Sequence, residues 1–133
     1  MLFEDVEVWT RFLQLDHPKI YELWYDVHVG EPMGVPAGSG PAIVAAAAGV
    51  SRKRIDVICR VDGGFWIVEV KPFGNMVALG QALGYWGLVM KEFVLDGRVW
   101  PVIVCDIVDR DLRDHFTEFG VTVFETGYTE FPV

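Results

Sequence analysis

The sequence predicts an α/β fold in which a central mixed β-sheet is flanked by helices. Strand-like segments alternate with helix-like segments in the second half of the chain, which is typical of parallel strands. In the middle of the chain, Asp62-Gly63 lies between two strand-like segments and favours an antiparallel hairpin. Residues 99–108 are almost wholly apolar, as strands buried on both faces are. The length of 133 residues is typical of one domain, so we take residues 1–133 as a single domain.

Hydrophobic spacing predicts the elements of the first part of the chain. Residues 4–15 place apolar side chains three and four positions apart, which predicts a helix that ends before Pro18. Residues 21–29 alternate in period two and predict a strand. Residues 30–41 are rich in Gly and Pro, as loops are. The alanine-rich residues 42–50 fit either a short helix or a buried extended segment.

The central hairpin is predicted from residues 54–61 and 65–71, which are rich in β-branched and aromatic side chains. Asp-Gly favours a type I′ turn, because both central residues of that turn have positive φ. After the hairpin, the pattern predicts two helices and two strands. They are a helix over residues 75–93, a strand over 99–108, a helix over 109–119 that Gly120 closes, and a strand over 121–126.

Three glycines, Gly80, Gly84 and Gly87, lie inside the helix predicted over residues 75–93. Each costs about 1 kcal/mol relative to alanine in a helix interior. We attribute them to close packing of this helix against the sheet.

The register of the hairpin brings three charged side chains together. With a two-residue loop, Asp56 lies directly opposite Glu69, and their Cβ atoms are about 5 Å apart. Lys71 follows two residues after Glu69 and points to the same face. Carboxylates this close repel each other, and Lys71 or a divalent cation would offset the charge. Mg²⁺, for which Mn²⁺ can substitute, is commonly held by one or two carboxylates with water and phosphate oxygens.

Composition and charge bear on the choice of partner. The net charge of −8 counts against nucleic acid, because phosphate binding depends on Lys and Arg. Arg52, Lys53 and Arg54 nevertheless cluster directly before Asp56, and they are candidate nucleic-acid contacts or a solvated surface run. No apolar run is long enough to span a bilayer and the first residues do not resemble a signal peptide, so we expect a cytoplasmic protein without a membrane partner.

Asp56, the hairpin and Glu69-Val70-Lys71 resemble the D…(D/E)xK signature of the PD-(D/E)XK nuclease superfamily, the restriction-endonuclease-like proteins. The predicted order of elements is also similar to the core of that family, and the resemblance covers most of the chain. It implies a restriction-endonuclease-like fold in which Asp56 and Glu69 bind the metal. It further implies the Val70 carbonyl as a metal ligand and Lys71 as the catalytic lysine. Ile55 stands where the eponymous proline would be.

The helix after Lys71 carries a second resemblance. Gln81 and Tyr85 are four residues apart and share one helix face, and they resemble the QxxxY motif of the RecB-like branch. The resemblance implies that they contact substrate backbone or a metal-bound water. Many members also carry an acid on the first helix, for which Glu7 is the better candidate and Glu4 the other.

We therefore expect a Mg²⁺-dependent nuclease that hydrolyses phosphodiester bonds in DNA, such as a small phage-type endonuclease, exonuclease or junction resolvase acting in the cytoplasm. A homodimer would place two sites on one duplex. Two alternatives stay open. One is a nuclease fold that has lost activity and binds nucleic acid or a protein partner. The other is a structural or assembly protein in which the three charged residues form an internal ion pair.

Overall fold

The computed structural model describes residues 1–31, 34 and 36–130, with the backbone alone for residues 47–51. Its elements, in chain order, are α1 (Phe3–Gln14), β1 (Ile20–Val29), α2 (Pro41–Ser51), β2 (Lys53–Val61), β3 (Gly64–Gly74), α3 (Met76–Glu92), β4 (Arg98–Val108), a 3₁₀ turn (Arg110–Leu112), α4 (Arg113–Glu118) and β5 (Thr122–Glu125). The alanine-rich segment is thus helical. The loop predicted over residues 30–41 includes residues 32, 33 and 35, which lie outside the described residues.

The five strands form one mixed sheet in the order β1-β2-β3-β4-β5. The pairs β1/β2 and β2/β3 are antiparallel, whereas β3/β4 and β4/β5 are parallel. α3 connects β3 to β4, and the 3₁₀ turn with α4 connects β4 to β5, because parallel neighbours need a crossover. This arrangement confirms the predicted α/β class, with a mixed sheet flanked by helices.

The predicted register of the β2–β3 hairpin is confirmed. Val57 faces Val68, so Asp56 and Glu69 are the next opposed positions. Beyond Val57 the regular pairing of the two strands stops. The charged residues therefore lie where the two strands of the hairpin begin to separate.

The turn between β2 and β3 differs from the predicted type I′. Gly63 has a φ of 82°, but Asp62 does not have a positive φ. Asp62 can keep a negative φ because the next two residues, Gly63 and Gly64, take the positive φ values. Gly64 also permits a close approach, since a Cβ there would lie 1.8 Å from the Arg98 carbonyl oxygen. Glycine at this position therefore allows β4 to start beside the turn.

Apolar cores lie on both faces of the sheet, which alternate residues of each strand line. On one face, α1 packs on the strands through three buried side chains, Val8, Trp9 and Phe12. On the other face, α3 packs through Ala78, Ala82 and Val89. The free thiols of Cys59 and Cys105 are buried in these cores, and burial raises the pKa of both to about 12.

An ion pair also ties α1 to β4. Arg11 donates from Nη2 and Nε to the two carboxylate oxygens of Asp106, at 2.7 and 3.1 Å. Asp106 is buried, and the Thr126 hydroxyl donates to it as well. This contact fixes the position of α1 over the sheet.

The expected close packing of the α3 glycines is wrong. Within the described part of the chain, a Cβ added at Gly80, Gly84 or Gly87 would meet no heavy atom within 4 Å. These glycines lie on a side of α3 that packs against nothing described. In the same described ranges, none of the helices has both the length and the apolar character needed to cross a membrane.

Candidate functional site

A cleft of about 320 Å³ opens where β2 and β3 separate, and it collects most of the predicted site residues. α1, β1, the hairpin and α3 all contribute to its wall. The residues that line it are Met1, Leu2, Asp5, Asp26, Arg54, Asp56, Glu69, Lys71, Gln81 and Tyr85. The structure therefore brings together the D…ExK residues and the QxxxY pair.

Asp56 is held by the main chain of the hairpin. The Val70 N–H donates to Asp56 Oδ2 at 2.8 Å, in the region where the regular β2–β3 pairing has ended. The carboxylate thus takes the place of a main-chain acceptor. Burial raises the pKa of Asp56, and the Val70 hydrogen bond partly opposes that shift. Val70 itself is fully buried and contacts the site through this N–H.

Glu69 is a buried acid of the cleft beside Lys71. It is only 3% exposed, and its Oε1 lies 3.7 Å from Lys71 Nζ. Its Oε2 is buried and has no hydrogen-bond partner among the described residues. Burial and the charge of Asp56 raise the pKa of Glu69 to about 8, although Lys71 lowers it. The side chain therefore attracts a proton or another cation.

The first-helix acid in the cleft is Asp5, and not Glu7 or Glu4. Asp5 is 2% exposed, and its Oδ2 accepts a hydrogen bond from Leu2 N–H at 3.0 Å. Its Oδ1 is buried without a partner in the described ranges. Glu4 and Glu7 are exposed and line a different cleft. Helical spacing could have indicated Asp5, because Asp5 lies one turn before the buried Val8 and so shares its helix face.

Gln81 and Tyr85 form the α3 wall of the cleft. α3 begins directly after β3 because Asn75 caps it, with Asn75 Oδ1 accepting from Ala78 N–H at 3.1 Å. Gln81 Oε1 is buried and unpartnered as far as the described residues extend. Burial raises the pKa of Tyr85, and the charges of Glu69 and Asp56 raise it further. The Tyr85 hydroxyl therefore keeps its proton and can donate a hydrogen bond.

The three cations of the predicted basic cluster differ in their surroundings. Arg52 is engaged within the fold, because its Nη2 lies 2.5 Å from Glu92 Oε1 and its Nε donates to the Gly30 carbonyl at 2.8 Å. Lys53 is exposed beside the open glycine side of α3. Arg54 is exposed and lines the cleft. Lys53 and Arg54 are thus placed to meet a ligand, whereas Arg52 supports the structure.

Asp26 of β1 is a cleft residue that the sequence analysis missed. Its Oδ1 accepts a hydrogen bond from the Met1 ammonium at 2.8 Å. The same ammonium lies 4.0 Å from Asp56 Oδ1. No local pattern around Asp26 indicates this position, because it depends on how β1 pairs with β2.

The donor set of the cleft fits a hard divalent cation. Asp5 Oδ1, Glu69 Oε2 and Gln81 Oε1 are buried oxygens that lack partners in the described part of the chain, and their residues all line the cleft. Mg²⁺ and Mn²⁺ take oxygen ligands of these kinds. No group of three or more His, Cys, Asp or Glu side chains in the described ranges is already gathered around a single metal position.

The comparisons with known proteins give no family. No family model matches the sequence, and no curated protein matches it. Among solved structures, the chain is similar to the crystal structure of a protein of unknown function, AF1548, with 16% sequence identity and a TM-score of 0.47. The match covers 96% of this chain and 59% of that chain, so this chain spans less than two thirds of that protein.

Proposed function

We propose that this chain is a metal-dependent nuclease that hydrolyses phosphodiester bonds in DNA on a restriction-endonuclease-like core. The observation that supports this most strongly is the state of Asp5 and Glu69. Each leaves one buried carboxylate oxygen without a described partner, in a cleft that also holds Asp56 and Lys71. Unsatisfied buried oxygens cost folding free energy, so their presence favours a ligand that satisfies them.

Asp5, Asp56 and Glu69 are the residues that would hold Mg²⁺ or Mn²⁺, with the Val70 carbonyl as the further ligand that the resemblance implies. When bound, the cation supplies a Lewis acid for the phosphate and lowers the pKa of its water. Lys71 is the nearest described cation to Glu69, at 3.7 Å. Its ammonium donates hydrogen bonds toward the charge that grows on the phosphate during hydrolysis.

The α3 side of the cleft positions the substrate. The Gln81 amide and the protonated Tyr85 hydroxyl are neutral hydrogen-bonding groups and contact the phosphodiester backbone without adding charge. Lys53 and Arg54 bind the flanking phosphates on the exposed side. Two copies of the chain would place two clefts on one duplex, so we propose a homodimer on DNA.

A purely structural ion pair explains the surroundings of Glu69 less fully than a metal site does. Lys71 reaches one oxygen of Glu69, and the other oxygen has no hydrogen-bond partner in the described residues. The second candidate is an inactive nuclease-fold module that binds a protein or nucleic acid. The net charge of −8 favours it because this charge counts against a DNA substrate, and within it the charge favours a protein ligand.

The test is a cleavage assay on linear duplex, single-stranded and four-way-junction DNA with Mg²⁺ or Mn²⁺. We expect Asp56→Asn, Glu69→Gln and Lys71→Ala each to lower cleavage by about 100-fold or more. Glu7→Gln is the matched control, because Glu7 is an exposed acid outside the cleft. Wild-type cleavage by Glu69→Gln would overturn the proposal. DNA binding without cleavage by the wild type would favour the inactive module.

A further inference from the structure

A second cleft, of about 580 Å³, lies next to the candidate site. α1, the ends of β3 and β4, and the residues after β5 form its walls. Neighbouring residues of α1 divide between the two clefts, since Asp5 lines the candidate site and Glu4 lines the second cleft. Among the described residues, none lines both clefts. The second cleft can therefore take a ligand of its own.

Three large apolar side chains that line the second cleft are exposed to solvent. Phe73 is 47% exposed, Ile107 is 40% exposed and Tyr128 is 46% exposed. Phe73 and Ile107 are paired positions of β3 and β4, so they lie next to each other in the sheet. Large apolar groups that are exposed and gathered in one place are typical of a surface that binds another protein, and aromatic side chains are enriched in such surfaces.

The charge of the second cleft is negative. Arg11 is the one cation among the described residues that line it, and its guanidinium is balanced by the buried Asp106. The other acids of the lining are exposed, Glu4 and Glu130 among them. This surplus of carboxylates repels the phosphates of nucleic acid and attracts ammonium and guanidinium groups.

The aromatic wall of the cleft already holds a cation. The Arg11 guanidinium lies over the Tyr128 ring, with its central carbon 4.1 Å from the ring centroid. Aromatic rings attract lysine and arginine side chains through their faces, and the apolar stems of those side chains pack on apolar neighbours. Exposed rings beside carboxylates therefore suit lysine or arginine better than acidic or neutral polar side chains.

We propose that the second cleft docks a segment of a partner protein that carries lysine or arginine together with apolar side chains. Glu4 and Glu130 pair with the cationic groups, while Phe73, Ile107 and Tyr128 pack against the apolar ones. The net charge of −8 attracts the same kind of partner at longer range. The docking does not depend on DNA cleavage, because the two clefts have no described lining residue in common.

The experiment measures the affinity of short fluorescent peptides by anisotropy at low ionic strength. One peptide alternates lysine with leucine, a second alternates glutamate with leucine, and a third alternates lysine with serine. We expect the wild type to bind the first peptide most tightly, because that peptide alone suits both the acids and the apolar wall. Replacing Glu4 and Glu130 together with glutamine should weaken this binding by about fivefold. Phe73→Ala and Tyr128→Ala should each weaken it by about tenfold.

The matched control combines Asp96→Asn with Glu118→Gln, which removes the same charge from exposed positions outside both clefts and should leave the affinity nearly unchanged. An equal loss in the control would show a general attraction to the acidic chain and would overturn the docking site. So would a wild type that binds none of the peptides, or that binds all three equally. Weaker DNA binding by Phe73→Ala and Tyr128→Ala, with unchanged peptide affinity, would overturn it in favour of a nucleic-acid surface.

Discussion

Replacing Glu69 with glutamine should stabilise the metal-free protein by an amount that depends on pH. The pKa of Glu69 is raised from 4.5 to about 8, because of burial and the charge of Asp56. The folded protein therefore holds a proton at Glu69 more tightly than the unfolded chain does. By proton linkage, the free energy of unfolding falls as pH rises from about 4.5 to about 8. Glutamine has nearly the same shape and no proton to lose, so it removes this dependence.

The size of the effect follows from the shift. One pKa unit corresponds to about 1.4 kcal/mol, so at pH 7 the free energy of unfolding of the wild type is roughly 3 kcal/mol lower than it is at low pH. The 3.7 Å contact with Lys71 is already included in this shift, because Lys71 lowers the pKa of Glu69. We therefore expect Glu69→Gln to be about 3 kcal/mol more stable than the wild type at pH 7. At about pH 4 the two proteins should have nearly equal stability, because Glu69 is then largely protonated in both states.

Urea denaturation with a chelator, repeated between about pH 4 and pH 9, measures this difference. Glu7→Gln is the control, since Glu7 is an exposed acid of α1 that lies outside the cleft. With saturating Mn²⁺ the order should reverse, because the wild type gains the binding free energy that the variant lacks. A difference that is the same at pH 4 and pH 7 would refute the reasoning, as would a variant less stable than the wild type at pH 7.

Two further predictions concern the surface and the scaffold. Replacing Lys53 and Arg54 with glutamine should lower the salt dependence of DNA binding by about one unit of slope per lost phosphate contact. The same change at Arg52 should leave the slope nearly constant, and equal slopes for all variants would count against this interface. Arg11→Ala should lower the free energy of unfolding by about 3 kcal/mol, because it leaves the buried Asp106 carboxylate without its cation. Denaturation curves check this, and a loss below about 0.5 kcal/mol would show that the pair does not stabilise the docking of α1.

Local rules predicted the features that depend on short sequence separations. The two-residue loop alone determines which positions of β2 and β3 lie opposite each other. The facing positions of Asp56 and Glu69 could therefore be derived from the sequence. The first-helix acid that lies in the cleft is Asp5, whereas Glu7 and Glu4, the predicted candidates, line a different cleft. The helical face of Asp5 points to the sheet, and that face could have been read from the spacing of the buried residues.

Other features depend on contacts between distant segments. Asp26 meets Asp56 only through the pairing of β1 with β2, and nothing in the sequence near Asp26 sets that register. The cost of glycine inside a helix leads to the expectation of close packing for the α3 glycines, but Gly80 and Gly84 lie beside Lys53 on an open groove. The helix period gives the face of a residue, and it does not say whether another element covers that face.

The hydrogen bond from Val70 N–H to Asp56 has a consequence for how such a chain diverges over evolutionary time. One oxygen of Asp56 completes the main chain of the hairpin, while the other is directed toward the cleft. Under the proposed function, a homologue that has lost nuclease activity still needs an acceptor at this position, and asparagine supplies one. Among the described residues, the Glu69 side chain accepts no main-chain hydrogen bond and the Lys71 ammonium donates none, so substitutions at these two positions disturb the main chain less. In a set of homologues, an intact aspartate at this position would therefore indicate activity less securely than an intact glutamate or lysine at the other two.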